Sequence, residues 1–482
     1  MHVKSLIRYI WVIILVLAFY SCREEQINSD SQLRLTFSKD TVAFDTVFTT
    51  IGSSTQQFKV YNPNANAVKI SRIWLEEAKE FMVNVDGENN LDLMKDWVLY
   101  GGDSLYIFVK VQIDPNKQNA PVLVEDNLHF AVNGNTQTVH FEAYGQDVHL
   151  IRSKHHISVS DDYTFLADKP YLIYDTVAIR NLLTFEPGAR LYFHDKAVLM
   201  AYGSVSSQGT LDNPVILRGD RIDRLFDSVP YAYVAGMWSG MYLFDTEDAP
   251  AKEYNFDHTE IYSANVGLYC MSEKTTNLPK LNLINSRIHN HAVYGLVIQN
   301  MDADIINCEL SNAAAYCAYL AGGKHTFIHS TIASYFNSTN VRIQSTLRAD
   351  VSAVYINNIS KRTAHTHTSF RNCIVSGVRR NNLLVATPLP KYYSDSICGN
   401  YLKADSLVVD GAFNNVYWHQ GDTTHIFRNT YYKYKEYKYY DFQLDSLSPA
   451  RGIGDSATAA QYPFDRLGKP RTTPDAGCYQ YE

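Results

Sequence analysis

Five stretches align on one hexapeptide: Phe256-Asp-His-Thr-Glu-Ile261, Leu283-Ile-Asn-Ser-Arg-Ile288, Ile305-Ile-Asn-Cys-Glu-Leu310, Phe327-Ile-His-Ser-Thr-Ile332 and Phe370-Arg-Asn-Cys-Ile-Val375. Their starts lie 27, 22, 22 and 43 residues apart, the last gap being about two units. The first and sixth columns are apolar throughout, the third is Asn or His, and the fourth is Thr, Ser or Cys. A β-type pattern recurring near 22 residues predicts one turn of a parallel β-solenoid per repeat, with coils stacked about 4.8 Å apart. Apolar columns then fill the interior, each buried side chain contributing roughly 1.5–3 kcal/mol. The Asn/His column falls at a bend, where Asn tolerates unusual backbone angles and chains side-chain hydrogen bonds from coil to coil. Leucine-rich repeats share the period but need Leu-x-x-Leu-x-Leu, which is absent, and propeller repeats are about twice as long.

Working outward, Leu182–Gly219 and Trp238–Leu243 resemble the opening coils of right-handed parallel β-helix proteins of the pectin-lyase-like class. Asp441–Asp455 and Phe464–Glu482 resemble the closing segment of β-helix repeat proteins from Bacteroidetes, which implies a cap on the last coil. Before the repeat, residues 33–148 show short alternating strands. Gln57–Tyr61 precedes an Asn-Pro-Asn turn, Val68–Trp74 and Ser104–Val111 follow, and Asn133-Gly134 joins Leu128–Val132 to Thr138–Ala143 as a two-residue hairpin. About seven strands in this length suit a sandwich, and the region resembles the Ig-like modules that follow the tether in Bacteroidetes surface lipoproteins. The fold expected is therefore all-β, an N-terminal Ig-like β-sandwich followed by a right-handed parallel β-helix. The organisation expected is 1–21 signal peptide, 22–32 tether, 33–148 sandwich, 150–440 β-helix and 441–482 capping segment.

The N-terminus reads as an address. Lys4 and Arg8 precede an uncharged stretch from Tyr9 to Tyr20, then Ser21-Cys22. The stretch is too short for a bilayer helix, which needs about 20 residues, and suits a secretory signal. A cut before cysteine resembles a bacterial lipoprotein signal, implying lipid attachment at Cys22. Phe19 and Tyr20 are bulkier than that family's usual box. Arg23-Glu24-Glu25 resembles the export signal that carries Bacteroidetes lipoproteins to the cell surface. The implied location is the outer membrane, facing outward, with the membrane as a partner through the acyl chains.

The 482 residues are 46% hydrophobic and 19% charged, which excludes a disordered chain. The net charge of −7, without a basic stripe, excludes a nucleic-acid binder. Removing residues 1–21 takes away Lys4 and Arg8 and no acidic residue, making the mature chain more acidic still. There are 35 Tyr, more than Phe (22) and Trp (5) together, a bias that suits β-structure and partly wet binding surfaces. Beyond Cys22, the cysteines at 270, 308, 317, 373, 398 and 478 show no zinc-type spacing, and those within the repeats read as small buried hydrophobes.

Candidate sites follow from the columns. The fifth hexapeptide position faces outward, stacking Glu260, Arg287 and Glu309 on consecutive coils. Two carboxylates about 9.6 Å apart lie at the edge of the range for an inverting glycosidase. The same residues also make an ion-pair ladder, and the intervening Arg would depress both carboxylate pKa values. The polygalacturonase signatures Asn-Thr-Asp, Gly-His-Gly and Arg-Ile-Lys are missing, and the one Asp-Asp, Asp161-Asp162, precedes the repeat. The resemblance to pectate-lyase-type enzymes would imply calcium, but no motif supports it. Asp302 and Asp304, the nearest acidic pair, are expected in a turn between coils. His365 and His367 could share one strand face as metal ligands, but no third ligand is identifiable, and no metal or cofactor is called for. The run 431–440, with Tyr431, Tyr432, Tyr434 and Tyr437 among lysines, could stack sugars or pack as a strand with its lysines outward. The reading is a non-catalytic surface protein binding a polysaccharide or a surface-protein partner through the β-helix. The alternatives are a polysaccharide lyase or glycoside hydrolase, and a structural surface component.

Overall fold

A computed structural model describes residues 27–481 except 153–156, 227–228, 247–249, 337–351, 358–362, 387–396, 399, 403–412, 415, 419–424 and 432–438. Contacts divide the chain into two units, Met1–Asp147 and Val148–Glu482.

The first unit is an antiparallel sandwich of a four-stranded and a five-stranded sheet. The four-stranded sheet runs in the order Thr36–Phe37, Gln56–Tyr61, Ser104–Val111, Phe81–Val85. The five-stranded sheet runs Thr41–Phe48, Asn135–Gln146, Val122–Val132, Val68–Leu75, Lys95–Leu99. Period-two alternation aims Phe58, Val60, Ile70, Ile107, Val109, Phe130 and Phe141 into a shared buried core. The Asn133-Gly134 turn has both residues at positive φ (49° and 81°), and Val132 pairs directly with Asn135. Thr41–Phe48 pairs parallel with Asn135–Gln146, and an isolated bridge joins Ile27 to Ala67 in parallel, while the other strand pairings of the unit among the described residues are antiparallel.

The second unit is a parallel β-helix. Its three sheets hold 11, 9 and 10 strands among the described residues, and as far as Tyr401–Leu402 the chain visits them in rotation, one strand of each per coil. The hexapeptides stack in register, Phe256 on Leu283, Leu283 on Ile305, Ile305 on Phe327 and Phe327 on Phe370. Ile261, Ile288, Leu310, Ile332 and Val375 form the sixth-column ladder, and both apolar columns lie in one continuous core. The third column, His258, Asn285, Asn307, His329 and Asn372, has positive φ at every member, between 41° and 54°. This is the left-handed bend joining the third sheet to the first. Asn307 Nδ2 donates to Asn285 Oδ1 (3.3 Å), and Asn372 Nδ2 lies 3.0 Å from His329 Nε2. The side chains of Cys270, Cys308, Cys317, Cys373 and Cys478 are all buried.

Of the segment expected as a cap, residues 441–481 lie laterally against the outer face of the first sheet and its bend. Among the described residues no strand of it pairs with the terminal strand Tyr417–Trp418. Gly477 N donates to Asn372 O (2.7 Å), Cys478 N to Thr331 Oγ1 (3.0 Å) and Asn307 Nδ2 to Phe464 O (3.0 Å). Gly477 has a φ of +94°, and a Cβ there would stand 2.6 Å from Thr331 Oγ1, so only glycine lets the strap come this close. Phe427, Tyr440, Phe442, Ala450, Ala476 and Tyr479 bury an apolar cluster against Ala333, Ile374 and Tyr401 of that face.

Candidate functional site

The fifth hexapeptide column does face out from the core, but the strap covers it. Glu260 pairs with Arg287, and Arg287 with Glu309, in consecutive rungs. Glu309 is 1% exposed. Its Oε1 accepts from Arg287 Nε (2.9 Å) and Ser311 Oγ (2.6 Å), and its Oε2 from Tyr479 Oη of the strap (2.5 Å). Arg466 of the strap donates to Glu260 Oε1 (2.7 Å). Burial alone would raise the Glu309 carboxyl, but the charges of Arg287 and Arg466 and the bonds from Ser311 and Tyr479 outweigh it and hold it below the usual carboxylate range. Burial, reinforced by Glu309, raises the Tyr479 phenol well above its ordinary value. The arrangement is a two-cation, two-anion network sealed by a phenol. It binds the strap to the coils and holds Glu309 ionised, with both oxygens engaged.

The other singled-out residues lie apart from it. Asp302 and Asp304 are in the strand Asp302–Ile306 of the third sheet, not in a turn, because Ala303 and Ile305 alternate with them into the core. Asp304 pairs with Lys280 (2.6 Å) and Asp302 Oδ1 accepts from Lys324 N (2.8 Å). His367 belongs to the strand Thr366–Arg371, and both it and His365 are exposed. No group of three or more His, Cys, Asp or Glu that could hold a metal occurs among the described residues. Tyr431 is 49% exposed. Tyr432, Tyr434, Tyr437 and Cys22 lie outside the described residues. Tyr439 stacks on Tyr233 (centroids 4.8 Å apart), and Tyr440 is buried in the strap cluster.

Not visible in the hexapeptide columns is the outer face of the second sheet. Each of its strands alternates core residues with outward ones, and strict register lines the outward ones up. The middle column reads Met200, Tyr242, Tyr269, Val297, Tyr319, Tyr355. The column toward the first sheet ends in Val266, Tyr294 and Tyr316. On the other side Phe244 is followed by Met271, Gln299 and Ala321, with Tyr202 stacked on Phe244 (5.4 Å). Rings of neighbouring coils lean on one another: Tyr242 and Tyr269 at 5.4 Å, Tyr316 and Tyr355 at 4.9 Å, Tyr319 and Tyr355 at 5.5 Å. These tyrosines are half-buried. Burial raises the phenols of Tyr242, Tyr269, Tyr294 and Tyr316, so they stay protonated and uncharged. Asn357 Nδ2 donates to Tyr319 Oη (2.8 Å), fixing one hydroxyl. The face joins apolar ring surface to neutral hydroxyl groups at a regular pitch. The tyrosine excess was its signal in the sequence. Its address was hidden because the links between first and second sheets vary in length from coil to coil.

The chain matches no family model and no curated protein. Among solved structures it is similar over part of its length to the Vibrio cholerae VesB protease (16% identity, 23% of this chain and 31% of that one, TM-score 0.17). It is also similar to a family 123 glycoside hydrolase from Clostridium perfringens (6% identity, 27% and 30%, TM-score 0.19). A third is the PapD-like domain 7 of human CEP192 (10% identity, 26% and 92%, TM-score 0.17). The match spans about a third of the length of the first two. No helix among the described residues is long and apolar enough to cross a membrane.

Proposed function

We propose that this is a lipid-anchored cell-surface protein of the Bacteroidetes type that binds glycan through its β-helix and does not turn it over. The observation that carries the binding reading is the tyrosine face of the second sheet. Amphipathic rings that are half-buried, ordered by their neighbours and unpaired with charge offer large contact area at little entropic cost. Against turnover stands the state of the acidic candidates: Glu309 is sealed and held ionised, which suits neither a general acid nor a nucleophile open to substrate. The anchor rests on Ser21-Cys22 after an apolar stretch, and surface display on Arg23-Glu24-Glu25.

Two measurements test the reading. Purified protein is run through gels containing a panel of polysaccharides, and the same mixtures are assayed for new reducing or unsaturated ends. Retardation without new ends supports it; new ends overturn its non-catalytic half, and no retardation on any polymer overturns the binding half. In cells, Cys22→Ser is expected to abolish incorporation of labelled fatty acid and release the protein from the membrane fraction. Labelling that persists in the variant overturns the anchor.

A further inference from the structure

We infer that the glycan held on this face is an uncharged, linear polysaccharide lying parallel to the coil axis; the inference rests on the glycan-binding reading above. Charge carries it first. From the strand Trp238–Asp245 to the strand Val354–Asn357, the three outward columns of the second sheet contain no Asp, Glu, Lys or Arg among the described residues. Other charged groups of the same coils sit on the other two sheets or at the margin of this face, where Asp245 is buried at the end of its strand and Glu273 is exposed just past Ala264–Ser272. Lys280 and Asp304 are on the third, and Glu260, Arg287 and Glu309 lie on the first, under the strap. Lys252 and Lys274 beside the face are both held by the buried Asp245 (3.1 and 2.9 Å). A polymer of uronates or sulfate esters would give up water around its anions here and meet no counter-charge. A protein partner would ordinarily find a polar rim around an apolar centre, whereas the three columns of this face stay uncharged from coil to coil.

Geometry gives the direction. Tyr242, Tyr269, Val297, Tyr319 and Tyr355 occupy one register column on five successive coils about 4.8 Å apart, and Tyr294, in the neighbouring column, supplies the ring of the coil that carries Val297. A ligand that gains from every rung must itself repeat along that axis, as an extended chain of pyranose rings does. Each ring then sets its C–H surface against tyrosine and its hydroxyls against phenols that both donate and accept. Gln299 and Asn357 supply neutral amides within the same columns.

The test uses the mature chain from Cys22 with Cys22 changed to Ser. Titration calorimetry is run against neutral linear polymers (xylan, mannan, mixed-linkage glucan, galactan) and anionic ones (polygalacturonate, alginate, chondroitin sulfate). Tyr269→Ala and Tyr319→Ala are tested in parallel, with thermal melts to confirm folding. At least one neutral polymer is expected to bind about tenfold or more tighter than any anionic one, with little dependence on added salt. Each tyrosine variant is expected to weaken that binding about tenfold. Affinity for its oligosaccharides should rise with length and level off at about five sugars, one to a coil. Salt-sensitive binding of anionic polymers alone overturns the inference and leaves the glycan-binding reading standing. Neutral binding untouched by either tyrosine variant moves the ligand off this face and overturns the inference. Binding of no polymer overturns both.

Discussion

Glu309→Gln removes one charge from a sealed network and leaves its shape in place. Arg287, whose side chain is 21% exposed, then loses its carboxylate, and Arg466, 10% exposed, shares only Glu260. Breaking a buried pair from one side costs about 3–5 kcal/mol. Because glutamine keeps an acceptor for Ser311 and Arg287 retains some solvent, the lower end applies, about 3 kcal/mol. Tyr479→Phe removes one hydrogen bond to a charged acceptor and should cost about 1.5–3 kcal/mol. A solenoid does not unfold as one unit, so the loss should appear where the strap meets the coils. The reporters are the amides of Gly477 and Cys478, bonded to Asn372 O and Thr331 Oγ1. Hydrogen exchange at these amides is expected to speed up about a hundredfold in Glu309→Gln, while the core rungs Ile288 and Leu310 stay protected. Arg287→Met, Glu309→Leu and Tyr479→Phe together remove the charges and the stranded phenol, and should restore most of the protection. The sign with pH follows from the depressed Glu309 pKa. Its contribution is complete above the unfolded value of about 4.3 and is lost as pH falls through the lower folded value. Wild-type exchange rates in Glu309→Gln would refute the reasoning, since the network would then not be what holds the strap.

Three other outcomes follow from buried groups of the coils and the strap. Burial pushes His291 down to about 3, His325 to about 4 and His329 to about 2. The unfolded chain therefore takes up these protons first, and stability should fall as pH drops from 6.5 toward 4, by up to about 4 kcal/mol per pH unit for the three together. Urea midpoints at pH 7, 6 and 5 measure this, and an unchanged midpoint contradicts it. The thiols of Cys270, Cys308, Cys317, Cys373 and Cys478 are buried, with Cys317 and Cys478 pushed up to about 12, so a thiol reagent should label none of the five before unfolding and all of them after. Gly477→Ala places a methyl 2.6 Å from Thr331 Oγ1 at a φ of +94°, and should loosen the strap by about 1–3 kcal/mol, read as earlier proteolysis within 441–481.

What was legible in this chain is what it repeats. Phe256, Leu283, Ile305, Phe327 and Phe370 announce a ladder because each coil solves the same packing problem, and His258, Asn285, Asn307, His329 and Asn372 announce a bend because each turns the chain through the same left-handed angle. A contact made once has no such signature. Tyr479 reaches Glu309 across 170 residues and Arg466 reaches Glu260 across 206, so nothing in the spacing of either stretch could show that the outward ladder is covered. The tyrosine face stands between these cases. It is a repeat, but the links that precede Trp238–Asp245 and Val354–Asn357 differ in length, so Tyr242, Tyr269, Tyr319 and Tyr355 fall at uneven intervals and share a column only once the coils are wound. Selection for packing alone would fill outward strand positions with short polar residues, as the third sheet does with Asn255, Asn282, Asp304, Thr326 and Ser369. The same coils carry tyrosine on the second sheet. That contrast within each coil, under one set of stacking constraints, is the physical reason to place the ligand there.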